Sequence, residues 1–279
     1  MTLFQSATEL KDNEYDKISR LVYEQCGICL HEGKKDLVKA RLGKRLREGG
    51  FKSFLDYYKY VTTAEGTEEL ITMIDSISTN VTYFFREEKH FQKLTALLPE
   101  LAREKEKKGR TEAIRIWTAG CSTGEEPYSV AMCLSEGLRD RPVPFQITAT
   151  DISTRVLRTA MQGVYPADKV KGVPPPMMKR YFQYGTGASE GQLRVKPELR
   201  RQISFERFNL MEVPRFTHPF DLIFCRNVMI YFDKKTQSGV VRRFHDVLLP
   251  GGHLFIGHSE TLTGLDHQFH YVQPSIYRK

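Results

Sequence analysis

The sequence lacks any long apolar run, and this argues against a membrane-inserted protein. No stretch approaches the roughly 20 apolar residues that a membrane-spanning helix needs. The segment Met1–Lys11 also lacks a basic stretch followed by an apolar one, the pattern of a secretory signal. We therefore expect a cytoplasmic protein that does not insert into a membrane.

Cysteine is scarce and unevenly spaced. Five cysteines, an odd number scattered along the chain, argue against a disulfide framework. Cys26 and Cys29 have the spacing of half a zinc site, but no second cysteine pair or matched histidine pair completes it. The eight histidines show no ligand spacing either. The sequence therefore predicts buried thiols and no metal site.

Positive charge is in excess. The net charge is +8, which favours an anionic partner, and nucleic acid, a membrane surface and an acidic protein all fit that description. Much of the charge lies on a predicted helix over Lys34–Glu48, whose other side is apolar. The basic side carries Lys34, Lys35, Lys39, Arg41, Lys44, Arg45 and Arg47.

Two periodicities divide the chain. The first part has helical spacing, with helices predicted over Glu14–Cys26, Lys34–Glu48, Phe51–Val61 (with Ser53 as its cap) and Glu68–Ile77. The charged run Arg103–Arg110 closes another helix that begins near Glu87 and leads into an exposed connection. We expect a helical domain over 1–79, with the basic face described above, and a second domain over 80–279.

The second domain alternates short apolar runs with amphipathic segments. This alternation is typical of a doubly wound α/β sheet. The predicted strands are Ile114–Thr118, Gln146–Thr150, Asp221–Cys225 and His253–Gly257, and the helices are Glu125–Leu138, Thr154–Gln162 and Lys235–Leu249.

One stretch breaks that alternation. Val173–Pro176 contains three prolines and cannot be helix interior. Short extended segments follow at Tyr181–Tyr184, Leu193–Val195 and Ile203–Phe205. We therefore expect a small antiparallel insertion over about 172–206.

A glycine-containing turn within Ile116–Ser129 follows the first predicted strand. Gly120 and Gly124 allow the backbone to approach a ligand closely. The turn lacks both a full dinucleotide glycine triplet and a phosphate-binding lysine, so it favours a nucleotide-like ligand without a pyrophosphate. Asp151 ends the next strand, where an acid can accept hydrogen bonds from ribose. Its alternative role, capping a helix with Ser153, is compatible with the first.

Four motifs in order resemble the CheR family of chemotaxis receptor methyltransferases. They are Asn80–Arg86 (NVTYFFR), Gly124–Ser129 (GEEPYS), Thr150–Ile152 (TDI) and Phe224–Asp233 (FCRNVMIYFD). Gly251-Gly252 and Gly257–Glu260 (GHSE) fit the same family. The resemblance extends from near Tyr15 to the C-terminus.

This resemblance implies a fold, a cofactor and a reaction. The fold is α/β: a Rossmann-like S-adenosylmethionine-dependent methyltransferase domain with a small antiparallel β-subdomain, preceded by an all-α N-terminal domain. The cofactor is S-adenosylmethionine, with S-adenosylhomocysteine as product. The reaction transfers a methyl group to glutamate side chains on the cytoplasmic helices of chemoreceptors.

The matching positions imply a set of cofactor contacts. They are Asn80, Thr82, Arg86, Gly120, Glu125, Glu126, Asp151, Asn209, Leu210, Cys225, Arg226 and Asn227. Which of Glu125 and Glu126 faces the cofactor stays open. Asn209, at the end of an extended run, is the candidate for the adenine edge.

Methylation of a carboxylate needs alignment rather than a general base, because glutamate, with a pKa of about 4.3, is already ionised at neutral pH. Arg86 is the candidate for orienting the acceptor carboxylate, against the alternative of an ordinary salt bridge to Glu87 or Glu88. Tyr231 follows the predicted strand Asp221–Cys225, and the matching family tyrosine is implicated in catalysis. The alternative is a packed aromatic beside Phe232.

The same resemblance gives the basic helix a role. Receptor helices are acidic, so Lys39, Arg41, Lys44 and Arg45 are expected to bind them, against the alternative of a solvated helix face. The insertion resembles the β-subdomain that, in some family members, binds a receptor's C-terminal pentapeptide as an added strand; a purely structural hairpin is the alternative.

Two other functions fit parts of the sequence. A nucleic-acid methyltransferase fits the basic charge. However, the turn Arg226–Met229, after the predicted strand Asp221–Cys225, lacks the Asn/Asp-Pro-Pro-aromatic motif of nucleobase amino-methylating enzymes, so we expect no nucleic-acid partner. A non-catalytic adaptor that senses S-adenosylmethionine is disfavoured by the presence of Arg86 and Tyr231.

Overall fold

The computed structural model describes residues 9–108, 112–141 and 143–279. The chain divides into two compact units. The first is Met1–Thr79 with Tyr231–Thr236, and the second is Asn80–Ile230 with Gln237–Lys279. The short segment after Ile230 therefore groups with the helical unit, although it follows a strand of the other one.

The first unit consists of helices. They are α1 (Asp12–Cys26), α2 (Lys35–Gly49), α3 (Phe54–Val61) and α4 (Thr67–Ile77). The caps follow the sequence: Ser53 accepts a hydrogen bond from the Asp56 N–H at 3.1 Å, and Gly27 ends α1 with φ of 73°. The four predicted helices are confirmed, with small shifts at their ends.

The second unit alternates strands and helices, as predicted. Its helices are α5 (Glu88–Lys108), α6 (Glu125–Gly137), α7 (Thr154–Gln162), α8 (Pro175–Tyr181), α9 (Pro197–Arg200) and α10 (Lys234–Val247, which begins in the first unit). Its strands are β1 (Ile114–Ala119), β2 (Phe145–Asp151), β3 (Val164–Pro166), β4 (Phe182–Tyr184), β5 (Gln192–Val195), β6 (Ile203–Arg207), β7 (Phe220–Cys225), β8 (Leu248–Ile256), β9 (His270–Gln273) and β10 (Ile276–Arg278).

Seven strands form the main sheet. Their order is β6-β2-β1-β7-β8-β10-β9, with parallel pairing from β6 to β8 and antiparallel pairing from β8 to β9. Because the chain leaves β1 for β2 on one side and later returns to β7 on the other, the order reverses at β1. A crevice at the carboxyl ends of β1, β2 and β7 is the expected ligand site of such a sheet.

A second sheet has the order β3-β5-β4 and is antiparallel. The prediction of a small antiparallel subdomain is therefore confirmed, but its membership was wrong in one strand. Ile203–Phe205 lies instead in β6, where Ile203 pairs in parallel with Ile147 of β2. Val164–Pro166, before the predicted start at 172, supplies the third strand. Pro175 and Pro176 occupy the first turn of α8, where a missing N–H does no harm.

Charged residues are buried at one point of the second unit. Lys105 of α5 lies 2.8 Å from Asp221, the second residue of β7, and both side chains are about 95% buried. Asp221 also accepts the Arg115 N–H at 2.8 Å. Within the part of the chain that the structure describes, no helix combines the length and apolar character needed to cross a membrane.

Candidate active site

The turn after β1 depends on its glycines. Gly120 has φ of 83°, and a Cβ added there would lie 2.3 Å from Cγ2 of Val228. Gly124 has φ of 97°, and its added Cβ would lie 2.9 Å from the Tyr165 hydroxyl. Both positions therefore need glycine for conformation and for space. Gly120 N–H and Cys121 N–H donate to the Thr150 carbonyl, which ties the turn to the end of β2.

Asp151 joins two loops. Its carboxylate accepts the Ser122 N–H at 2.8 Å and the Ser153 N–H at 2.9 Å. The Ser153 hydroxyl in turn caps α7 by accepting the Val156 N–H at 3.4 Å. The capping role of the Asp151–Ser153 pair is therefore present in the structure. A role of Asp151 toward ribose stays a prediction.

The two consecutive glutamates of α6 have different surroundings. Glu125 accepts the Thr123 hydroxyl at 2.6 Å, within its own turn. Glu126 accepts Nη1 of Arg226 at 3.1 Å, and its Oε1 is buried with no hydrogen-bond partner among the described residues. Burial, only partly offset by the Arg226 charge, raises the pKa of Glu126 to about 7. Glu126 is thus the one with an unsatisfied oxygen.

Arg226, just after β7, is the centre of a buried ionic network. Its side chain is 2% exposed. It donates to Glu126, to Oε2 of Glu87 at 3.0 Å, and to the carbonyl of Arg86. We call Arg226, Glu87 and Glu126 the Arg226 network. Burial opposes ionisation of Glu87, but the Arg226 charge and the hydrogen bond from the His258 N–H outweigh it and lower the pKa of that carboxyl.

Asn227 is held in a left-handed backbone conformation, with φ of 61°. Its N–H donates to Glu260 at 2.9 Å and its side-chain amide donates to Oε1 of Glu87 at 3.3 Å. Glu260 also accepts N–H groups of Gly257 and Ile230. Such a conformation costs free energy outside glycine, so these contacts are what maintain it.

The segment before α5 brings the first motif to the same region. The Asn80 carbonyl accepts the Ser122 hydroxyl at 3.3 Å, which connects the motif to the glycine turn. Arg86 donates to the Val81 carbonyl at 2.8 Å, and its guanidinium lies 5.8 Å from the centre of the Tyr83 ring. The predicted alternative, a salt bridge from Arg86 to Glu87 or Glu88, does not form among the described residues. Thr82 is half-buried in this segment.

Asn209 and Leu210 follow β6. The Asn209 side-chain oxygen accepts the Met211 N–H at 3.0 Å, which forms a tight turn. The Leu210 carbonyl accepts a hydrogen bond from Arg243 of α10 at 2.7 Å. Phe208 N–H donates to the Asp151 carbonyl at 3.1 Å, so this turn starts beside the end of β2. Cys225, the last residue of β7, is fully buried.

The remaining predicted site residues belong to the first unit; they are Tyr231, Lys39, Arg41, Lys44 and Arg45. The Tyr231 carbonyl accepts the Cys29 N–H at 2.8 Å. Arg41 donates to the carbonyl of Ser78 at 2.9 Å, at the end of α4, and Arg45 binds Glu69 through two nitrogens. Lys39 makes no ion pair among the described residues, and Lys44 pairs loosely with Glu48 at 3.7 Å.

Sequence reasoning missed the residues that support the site. Glu87, Glu260 and His90 were not singled out, although Glu87 directly follows the first motif and Glu260 ends the last one. His90 is buried, and burial together with the Arg226 charge lowers its pKa to about 3. The position of these residues beside or within the motifs is the only sequence signal for them. The residues that they contact are distant in the sequence, so the contacts could not be predicted.

Two family profiles together match most of the chain. Residues 80–278 match "CheR methyltransferase, SAM binding domain", and residues 13–78 match "CheR methyltransferase, all-alpha domain", where SAM is S-adenosylmethionine. The chain belongs to the CheR methyltransferase family. The resemblance stated from the motifs is therefore confirmed, as are the fold class and S-adenosylmethionine as the cofactor.

Curated CheR relatives are similar over almost their whole length. The chain is 42% identical to a chemotaxis protein methyltransferase of Borreliella burgdorferi, covering 96% of this chain and 94% of the relative. It is 41% identical to that of Escherichia coli, with 96% and 91% covered. It is also 41% identical to chemotaxis protein methyltransferase 2 of Pseudomonas aeruginosa, with 95% and 92% covered.

The residues present fit the cofactor of CheR enzymes. Asn80 Nδ2, Glu126 Oε1 and Asn227 Oδ1 are buried polar atoms without a hydrogen-bond partner among the described residues. Buried polar atoms are normally paired, so a group of unpaired ones in linked loops indicates a polar ligand. One donor and two acceptors suit a molecule that carries both a carboxylate and an ammonium group, as the methionine part of the cofactor does.

Proposed function

We propose that this protein is a protein-glutamate O-methyltransferase that modifies chemoreceptors during chemotactic adaptation. Methyltransferase family membership supports the donor and the class of reaction. The names of these relatives connect their activity to chemotaxis. The single observation that carries the proposal in this chain is the set of unpaired buried polar atoms on Asn80, Glu126 and Asn227.

Three side chains are proposed to hold the methionine part of the cofactor. Glu126 accepts its ammonium group through Oε1, Asn80 donates to its carboxylate through Nδ2, and Asn227 accepts a hydrogen bond through Oδ1. The Arg226 network keeps Glu126 in place, because Arg226 occupies the other glutamate oxygen. The same end is also proposed to be lined by Thr82, Gly120, Cys225 and Arg226.

The adenosine end is assigned to the other strand termini. Asp151, at the end of β2, is proposed to accept ribose hydroxyl hydrogens. Asn209 and Leu210 are proposed to face the adenine ring. Glu125 is excluded from our cofactor set, because its carboxyl is hydrogen-bonded within the turn and serves to fix the start of α6.

S-adenosylmethionine supplies an electrophilic methyl group on a sulfonium. When bound, this group would accept the acceptor carboxylate oxygen at its methyl carbon, with the sulfur leaving and keeping the electron pair of the broken carbon–sulfur bond. The acceptor is already ionised, so no residue of this chain has to remove a proton. The chain's task is therefore to align the acceptor and exclude water.

Arg86 is proposed to orient the acceptor carboxylate. Its guanidinium is tethered by one nitrogen to the Val81 carbonyl and lies beside the Tyr83 ring, so its remaining N–H groups keep a fixed direction. A guanidinium can bind a carboxylate through two parallel hydrogen bonds. Tyr231 is proposed to assist at the reacting end, a role for which its position after β7 is the support.

Two surfaces are proposed for receptor binding. The first is the basic face of α2, where Lys39 and Lys44 have most of their charge available. The second is the edge of the small sheet at β4, where a receptor tail would add as a strand. The opposite edge, β3, ends in Pro166, which lacks an N–H and is the poorer template. Titration with a receptor-tail pentapeptide tests the second surface; absence of binding at high micromolar peptide would remove it.

The proposed function is tested with isotopically labelled S-adenosylmethionine. The purified protein is offered a chemoreceptor cytoplasmic fragment, RNA, or neither. Label on the receptor fragment alone is the expected result. Label on RNA would instead support a nucleic-acid methyltransferase, and cofactor binding without transfer to either would support a non-catalytic adaptor.

A further inference from the structure

Three side chains of the second unit form the donor set of a transition-metal site. Glu87, His90 and His258 each offer one ligand atom, and these atoms lie within 4.8 Å of one another. Imidazole nitrogens with a carboxylate oxygen suit Zn²⁺, Cu²⁺ and Ni²⁺. The histidines come from α5 and from the loop after β8, so no local sequence spacing could reveal the cluster.

His90 is the member that points most clearly to a ligand. Its side chain is 1% exposed, and neither ring nitrogen has a hydrogen-bond partner among the described residues. Nδ1 lies 3.3 Å from Oε2 of Glu87 but not in line for a hydrogen bond. A buried imidazole with no partner costs free energy, and coordination of an ion by one nitrogen would remove that cost.

His258 gives the cluster an open side. It is exposed, and its ring meets the His90 ring edge to face with 4.9 Å between centres. An ion can therefore reach His90 from solvent, past a side chain that is able to rotate. Ligand atoms around tetrahedral zinc lie about 3.3 Å apart, so the His258 ring has to turn inward to close the site.

The positive charge of Arg226 disfavours binding of a cation at this cluster, so a bound cation would change the contacts of Arg226. Its guanidinium donates to Oε2 of Glu87 at 3.0 Å and would repel an ion on that oxygen. Arg226 has two further acceptors, Glu126 and the Arg86 carbonyl, to which it can shift. Binding of an ion thus competes with the Arg226–Glu87 pair and disturbs the Arg226 network.

We propose that Glu87, His90 and His258 bind one divalent transition-metal ion, and that this ion slows methyl transfer by drawing Glu87 away from Arg226 and Asn227. The inhibition rests on the proposed function, whereas the binding does not. The site would make the enzyme sensitive to zinc-class metal ions at a point next to the residues proposed to hold the cofactor.

Binding is tested on the full chain after dialysis against a chelator. Calorimetry with Zn²⁺ and the visible absorption of bound Co²⁺ both report the site without any methylation assay. We expect one ion per chain in the wild type and at least about tenfold weaker binding in His258→Gln, which loses an exposed ligand. Equal affinity in the wild type and His258→Gln would overturn the proposal.

Two control variants exclude other metal ligands. His218→Gln removes an exposed histidine elsewhere in the second unit, and Cys29→Ser removes the thiol that lies 3.9 Å from Nδ1 of His31 in the first unit. Both are expected to bind Zn²⁺ as the wild type does. Loss of binding in Cys29→Ser would place the ion in the first unit and contradict the assignment.

Inhibition is tested by methylation of a receptor fragment with and without Zn²⁺. We expect the wild type to slow about tenfold or more, and His258→Gln to keep its rate. Equal slowing of both proteins would overturn the inhibitory role. If the metal-free wild type methylates no receptor at all, the proposed function fails, while the metal site is still judged by calorimetry.

Discussion

At the scale of single residues, the site combines unusual ionisation with unpaired atoms. Glu126 has one oxygen on Arg226 and the other on nothing within the described chain. Burial raises the pKa of Glu87, but the charge of the same arginine and hydrogen bonds to the carboxylate outweigh burial, so the pKa is lowered overall. The pKa values of two carboxyls that share one guanidinium are thus shifted in opposite directions, up for Glu126 and down for Glu87. Glu126 is the carboxyl that a cationic ligand would deprotonate.

Cofactor binding is expected to weaken as the pH falls through about 7. The pKa of Glu126 is raised to about 7, and the form that accepts an ammonium group is the carboxylate, present above that pH. Each pH unit below 7 should therefore raise the Kd of S-adenosylhomocysteine up to about tenfold. Calorimetry between pH 8 and pH 6 measures this.

The control is Glu126→Gln. This variant is expected to bind more weakly at pH 8 and to show a nearly flat profile. Glu125→Gln should keep the wild-type slope, because Glu125 is hydrogen-bonded to Thr123 instead. A pH-independent Kd in the wild type would mean that Glu126 does not face the ammonium group.

Arg86→Ala is expected to lower the methylation rate on the order of a hundredfold, because the acceptor carboxylate loses its orientation. Cofactor affinity should fall much less. Arg86→Lys, which keeps the charge without the planar pair of donors, should recover only a small part. Steady-state kinetics with a receptor fragment measures all three. A wild-type rate in Arg86→Ala would remove Arg86 from catalysis.

At the scale of elements, α2 carries two kinds of basic residue. Arg41 and Arg45 are bound to the end of α4 and to Glu69, so they stabilise the helical unit. Lys39 and Lys44 are the ones whose charge remains for a partner. Charge reversal at Arg41 or Arg45 would therefore lower the stability of the helical unit as well as any receptor binding. Substitutions at Lys39 and Lys44 test receptor binding alone.

The double variant Lys39→Glu, Lys44→Glu is expected to weaken receptor methylation, most strongly at low salt. Long-range attraction between the basic face and an acidic receptor is screened as ionic strength rises. A series of KM values from about 10 mM to 300 mM salt should show the gap between variant and wild type closing. Lys52→Glu, an exposed lysine outside α2, is the matched control; an equal effect there would indicate only net charge.

The elements also show what sequence could and could not predict. The four helices of the first unit and the central strands followed from periodicity and from caps such as Ser53. Ile203–Phe205 was misplaced because a short apolar run carries no record of its partner, and β6 pairs with β2 far back in the chain. The hairpin of β9 and β10 has no clear apolar pattern in the sequence, because its residues are mostly polar or exposed.

The candidate site divides in a similar way. Motif matching found Asn80, Glu126 and Arg226, whose neighbours in sequence are distinctive. It could not find that Arg226 joins two carboxyls, because Glu87 and Glu126 lie 139 and 100 positions before Arg226 in the sequence. Ion pairs of this kind depend on the topology of the sheet, which periodicity alone does not specify.

At the scale of the whole molecule, the Lys105–Asp221 pair connects α5 to the start of β7. The helix that the charged run closes is α5, which ends at Lys108, and the exposed connection predicted after it lies outside the described residues. Within α5, Lys105 is 3% exposed. Removing one member of a buried pair leaves the other charge without compensation, and this costs more than the pair contributes. The stability of the second unit should therefore depend on both partners.

Lys105→Met is expected to lower the free energy of unfolding by about 3–5 kcal/mol. The double variant Lys105→Met, Asp221→Leu should recover part of that loss, although the Arg115 N–H then lacks its acceptor. Lys107→Met, two residues along and exposed, should change little. Urea unfolding measures these differences; equal stability of Lys105→Met and Lys107→Met would show that the pair does not form.

The chemistry of the transferred methyl group tests the central claim most directly. A receptor fragment is methylated with labelled S-adenosylmethionine, treated with mild base, and analysed in parallel by peptide mass spectrometry. If the product is a glutamate methyl ester, mild base releases the label as methanol, and mass spectrometry locates the methyl group on glutamate residues. Label that survives base, or that maps to another residue type, would contradict the assignment of a carboxylate as the acceptor.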